Sequence, residues 1–185
     1  MTILKQRTNC VLGSVTIRLM INCFYKNGDQ VNLRHVVVNV IIVNENKILL
    51  GRRGTYKGKP LSEYGKWALI GGYLDRGETF IEGAKREVME EVGWEIENLK
   101  LFFLNDNPNR EMEDNQNIDV IFVANAVKQI PEFRTNEEVL ELKWFDSKNL
   151  PDNSQIAFDH SDSLVRYVEA TSKKILLPIL KYDVV

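Results

Sequence analysis

The sequence predicts an α+β domain in which strands dominate. Three observations lead there. Short β-branched apolar runs recur, such as Val36–Val38 and Val40–Val43. Turn signals rich in Asn and Gly punctuate them, at Lys26-Asn27-Gly28-Asp29 and Asn44-Glu45-Asn46. Helical periodicity appears over two segments, one in the middle of the chain and one near its end.

Taken in order, Val11–Tyr25 is enriched in β-branched residues, and after the first turn Gln30–Val43 reads as a long strand, so the two are expected to form a hairpin. Lys47–Arg52 is a further strand. Arg53–Lys66 carries three glycines, a proline and four lysines or arginines, the composition of a surface loop. Trp67–Ile70 reads as a strand ending at Gly71-Gly72. The central helix announces itself by Thr79 and Glu82, a T-x-x-E capping box, and by Gly93 as its stop. Between them Ile81, Ala84, Val88 and Val92 are expected to form its buried stripe. Glu95–Leu104 follows as strand, Asn105–Asn117 as a polar loop, and Ile118–Val127 and Val139–Asp146 as strands. Ser161–Thr171, with Leu164, Val165, Tyr167 and Val168, is an amphipathic helix.

Composition excludes several classes. The 185 residues suit one domain, and 44% apolar with 27% charged residues is globular rather than disordered, collagen-like or coiled-coil. A net charge of -2 and a pI near 5.8 argue against a partner that is a nucleic-acid polymer. Two cysteines, Cys10 and Cys23, make neither a disulfide framework nor a four-cysteine zinc site. No apolar run reaches the roughly 18 residues of a membrane span, and Met1–Asn9 is too polar for a signal peptide. The expected location is the cytoplasm.

The chemistry concentrates on the central helix. Glu87, Glu90 and Glu91 fall at i, i+3 and i+4 and share one face. A solvated acidic face is one reading of such a run. A site for a hard divalent cation is the other, because the opposite face is apolar and Gly71-Gly72 can bring backbone carbonyls alongside. Arg52, Arg53, Lys57 and Lys59 form a basic cluster before Trp67, suited either to solubility or to substrate phosphates, and Arg110 is similarly placed. Tyr73 could stack on a base, whereas Trp67 and Phe102 suit the core. His35 and His160 read as packing or capping residues.

From Gly72 the chain reads Gly72, five residues, Glu78, seven residues, Arg86-Glu87-Val88, one residue, Glu90-Glu91, one residue, Gly93-Trp94. This resembles the Nudix box, and all seven fixed positions match across its 23 residues. Trp94 stands where an aliphatic residue is usual, and Ile70 where many members have proline. The looser likeness runs from about Val36 to Ala170. It implies a Nudix fold, a mixed sheet sandwiched between helices with the box as loop–helix–loop, over residues 34–185; residues 1–33 are expected to be an N-terminal β-hairpin extension.

The resemblance also implies hydrolysis of a nucleoside diphosphate linked to a further group, with Mg²⁺ or Mn²⁺. It makes Glu87, Glu90 and Glu91 metal ligands with the Gly72 carbonyl, gives Glu78 a supporting role, and has Arg86 pair with and orient a box carboxylate. The general base is Glu91 or comes from Glu137-Glu138, with Glu138 the candidate of that pair. Pro108, the long loop and Phe158-Asp159-His160 lean toward ADP-ribose and nucleoside diphosphate sugars. The alternatives are a nucleoside triphosphate pyrophosphohydrolase of the house-cleaning type and a non-catalytic nucleotide-sensing module. The complete carboxylate set favours the enzyme. Because Val15, Ile17, Leu19 and Ile21 would leave an apolar strand face in water, a homodimer built partly on that hairpin is expected.

Overall fold

The computed structural model describes residues 22–107, 117–175 and 178–180. Cys10, Pro108, Arg110 and most of the expected N-terminal strand, including its alternating face, lie outside them. What is described of the hairpin is its tip: β1 (Asn22–Phe24) pairs antiparallel with β2 (Gln30–Asn32) across the Lys26–Asp29 turn. The long strand expected over Gln30–Val43 is interrupted at Leu33-Arg34. β3 (His35–Asn44) begins a separate sheet.

The main sheet is built from β3, β4 (Lys47–Arg53), β9 (Trp94–Asn105), β10 (Asn117–Gln129), β11 (Val139–Asp146) and β12 (Ile179–Leu180). Their order is β11-β4-β3-β10-β9-β12. β3 and β10 pair in parallel at its centre, and β3 is buried on both faces, as its near-continuous apolar run requires. The one polar interruption, Asn39, donates from Nδ2 to Asp119 Oδ1 at 2.8 Å, which satisfies two buried groups at once. Two short strands hang on this frame: β7 (Trp67–Ala68) on β4 and β8 (Ile70–Tyr73) on β3. The surface loop before them contains a small hairpin, β5 (Thr55–Tyr56) and β6 (Lys59–Pro60).

One helix lies on each face. α1 (Phe80–Val92) packs Ala84, Val88 and Val92 against Val38, Val40, Ile70 and Val120. α2 (His160–Lys173) places Leu164 and Ala170 against Ile41, Leu50, Phe102 and Ile121. A sheet with apolar residues on both faces needs both covers, which gives the sandwich expected from sequence. Two stripe assignments need correction. Ile81 is 50% exposed, because it sits on the first turn of α1 before the helix reaches the sheet; Gly83 is buried there instead. Val165 on α2 likewise faces outward. Among the described residues no helix is long and apolar enough to cross a membrane.

Candidate active site

α1 starts and stops where its local chemistry dictates. Glu82 N–H donates to Thr79 Oγ1 at 3.3 Å, and Thr79 N–H donates to Glu82 Oε2 at 2.7 Å. Gly93 closes the helix at φ 63, its N–H bonded to the Met89 carbonyl, with the Phe133 ring packed where a Cβ would stand. This fixes the rotation of the helix, and with it the direction of the glutamates.

The strand does not end at Gly71-Gly72 as expected from sequence: β8 runs through both glycines and ends at Tyr73. The reason for glycine is crowding on both sides of the strand. A Cβ on Gly71 would lie 2.0 Å from the Val38 carbonyl oxygen, and one on Gly72 would lie 2.7 Å from Glu87 Oε1. The strand therefore presses directly against the carboxylate face. Gly71 N–H also donates to Glu91 Oε2 at 3.2 Å.

Arg86 organises the rest. Its guanidinium donates to Glu78 Oε1 at 2.7 Å, Glu87 Oε1 at 2.8 Å, Glu90 Oε2 at 3.2 Å and the Tyr73 carbonyl at 3.0 Å. One planar fork thus ties the box loop to two of the three clustered glutamates. Arg86 holds the Glu78 carboxyl down to about 2 by hydrogen bonding, assisted by the Asp75 N–H. Glu87 and Glu91 move the other way. Burial raises both, Arg86 partly offsets it at Glu87, and at Glu91 the neighbouring Glu87 charge adds to it, pushing that carboxyl up to about 8.

The loop before β11 delivers a fourth carboxylate. Gly54 N–H and Thr55 N–H donate to the Glu138 and Glu137 carbonyls, both at 2.7 Å, and a Cβ on Gly54 would strike the Glu137 carbonyl at 2.3 Å. Glu137 and Glu138 then part company. The Glu137 carboxylate accepts from the Lys57 and Gly58 N–H groups at the tip of the β5–β6 hairpin, which lowers it. It is a turn cap. Glu138 faces the glutamates of α1: burial raises it, the Arg53 charge opposes that, and Glu137 and Glu90 add to the rise.

The basic cluster also divides, since neighbouring strand residues point to opposite faces. Arg53 donates from Nε to the Ser62 carbonyl at 2.7 Å and lies near enough to the carboxylates for its charge to lower Glu138 and Glu91. Arg52 bonds the Gly65 carbonyl at 2.8 Å, pairs with Glu141 at 3.6 Å, and lines a separate open groove of about 460 Å³ with Tyr64, Lys66 and Trp67. Tyr73 is 62% exposed, its ring 5.0 Å from that of His35, beside the box. Trp67 stacks edge-on against Phe145, and Phe102 is fully buried. His160 Nδ1 accepts from the Leu69 N–H at 3.1 Å, a structural role.

Among the described residues, no three of these carboxylates close into a ready-made cage. Arg86 draws Glu87 and Glu90 to itself, and Gly71 draws Glu91. The donor set nevertheless suits a hard cation: carboxylate oxygens that repel one another, with Glu87 and Glu91 desolvated and Glu90 at the exposed rim, against a strand too close to admit any side chain. Sequence reasoning missed three supports. Gly54 and the Asn39–Asp119 pair act across long sequence separations; only a lone polar residue in an apolar run could have flagged Asn39. The third is the contact of Arg53 with Phe158, whose ring lies 4.7 Å from the guanidinium.

Comparisons with known proteins point to one family. A family model described as NUDIX domain matches residues 33–166. An ADP-ribose pyrophosphatase of Methanocaldococcus jannaschii is 32% identical over 133 residues, 72% of each chain. An oxidized purine nucleoside triphosphate hydrolase of Mus musculus is 30% identical over 117 residues, 60% of this chain and 66% of that protein. A crystal structure of a NUDIX hydrolase from Nitrosomonas europaea shares the fold, with a TM-score of 0.65 and 24% identity over 87% of this chain and 92% of that one.

Proposed function

The chain belongs to the Nudix hydrolase family, enzymes that cleave pyrophosphate bonds in nucleotide derivatives, and on that premise we propose that its preferred substrate is a nucleoside diphosphate linked to a sugar, of the ADP-ribose type. The observation that carries the substrate class is the likeness to an ADP-ribose pyrophosphatase at 32% identity over 72% of both chains.

Family members generally need a divalent metal, and Glu87, Glu90 and Glu91 with the Gly72 carbonyl are the groups that would hold it. Bound there, Mg²⁺ or Mn²⁺ would neutralise the pyrophosphate oxygens and acidify a water. The protein's own part is positioning. Glu91, tied to Gly71 N–H, serves as a ligand rather than a proton shuttle. Glu138, on the loop docked at Gly54, is the general base that takes the water's proton. Arg53 meets a substrate phosphate oxygen beside it, and a guanidinium suits that contact because its donors are planar and fixed. Tyr73, on the exposed edge of the box, offers a ring to the nucleoside.

A substrate panel tests the ranking. Specificity constants for ADP-ribose, a nucleoside diphosphate sugar, each nucleoside triphosphate, a dinucleoside polyphosphate and NADH are expected to place ADP-ribose first. Any nucleoside triphosphate clearly ahead of ADP-ribose would replace this reading with the triphosphate one.

A further inference from the structure

The segment around Phe158-Asp159-His160 is pinned at both ends. Ala157 N–H donates to the Trp67 carbonyl at 2.7 Å, Ile156 forms a parallel bridge with Trp67, and Leu69 N–H donates to His160 Nδ1 at 3.1 Å. Between these anchors Phe158 adopts φ 54, a left-handed conformation that is costly for a bulky aromatic residue. Asparagine or glycine would take that backbone more easily. The half-buried ring stacks edge-on with His160 at 5.4 Å, and the Arg53 guanidinium carbon lies 4.7 Å from its centroid. Arg53 Nε donates to the Ser62 carbonyl at 2.7 Å on another side.

We propose that Phe158 is a positioning residue: its ring and the Ser62 carbonyl together fix the Arg53 guanidinium beside Glu138, so that Arg53 meets a substrate phosphate in one geometry. An arginine carries many rotamers, and each one removed before binding is not lost on binding. The face of an aromatic ring attracts the guanidinium without using its N–H donors, which stay directed at oxygens. Packing alone does not explain a strained aromatic aimed at the arginine that lies on the Glu138 side of the carboxylates, opposite to Arg86. The proposal rests on Arg53 as the phosphate contact, as argued above.

Steady-state kinetics on ADP-ribose and on ATP, using whichever is turned over faster, test it with Phe158→Asn, Phe158→Tyr, Arg53→Ala and the double variant Arg53→Ala/Phe158→Asn. Asparagine removes the ring while accepting the backbone, so Phe158→Asn should melt no lower than the parent. Its KM should rise about fivefold, the size of a single cation–π contact, with kcat little changed. Phe158→Tyr should restore KM. Arg53→Ala should raise KM at least as far, and adding Phe158→Asn to it should change nothing further. An unchanged KM in Phe158→Asn, or a double variant worse than Arg53→Ala by the full single effect, overturns the positioning role while leaving Arg53 in place. An unchanged KM in Arg53→Ala overturns the phosphate assignment itself, and this proposal with it.

Discussion

Glu91→Gln is expected to lower turnover by at least about 10²-fold, the usual cost of losing a charge-stabilising group in an active site, while making the metal-free protein more stable at alkaline pH. The two effects have one cause. Burial and the Glu87 charge push the Glu91 carboxyl from 4.5 up to about 8. The folded state therefore holds this proton more tightly than the unfolded state does. Its contribution is fully present below pH 4.5 and is lost as pH rises through about 8. Glutamine keeps the shape and still accepts from Gly71 N–H, but never acquires the charge. In EDTA at pH 9 the variant should melt higher than the parent, by on the order of 5 °C. At pH 4 the two should melt together. Added Mg²⁺ should raise the parent more than the variant, because the parent offers it one more carboxylate, and a buried one. Melting curves at both pH values check this; equal melting at pH 9, with or without Mg²⁺, would show that Glu91 is not a desolvated carboxylate at all.

Arg86→Lys is expected to cut turnover by about 10–100-fold, the range seen when a residue that orients metal ligands is lost. The charge is kept, so a purely electrostatic role predicts little change. The fork is not kept. A lysine ammonium cannot serve Glu78, Glu87, Glu90 and the Tyr73 carbonyl together from a single point. The box loop and the α1 carboxylates would then lose their common tether. Turnover within twofold of the parent would mean that Arg86 supplies charge alone.

How far the sequence could be read follows from the range of each interaction. The limits of α1 were legible to the residue, because Thr79, Glu82 and Gly93 act within four positions of the helix ends. The acidic face was legible because helix geometry alone sets i, i+3 and i+4. Gly71-Gly72 reads as a strand end in the sequence, whereas what demands glycine there, the Val38 carbonyl on one side and Glu87 on the other, comes from distant segments. Ile81 was misread because periodicity marks a stripe without saying where the sheet begins beneath it. Arg52 and Arg53 looked alike as a basic pair; strand alternation sends one to Gly65 and Glu141 and the other to Glu138. Glu137 and Glu138 were separated only by the β5–β6 hairpin, which claims the first as a cap.

On the proposed function, the Glu87, Glu90, Glu91 and Glu138 cluster hydrolyses a pyrophosphate bond with the help of a divalent cation. Chromatographic identification of products from ADP-ribose, run with Mg²⁺, with EDTA, and with Mg²⁺ restored in excess, tests it most directly. The expected result is AMP and ribose 5-phosphate in the first and third reactions and neither in the second. Equal product formation with EDTA, or an intact substrate in all three, would contradict it.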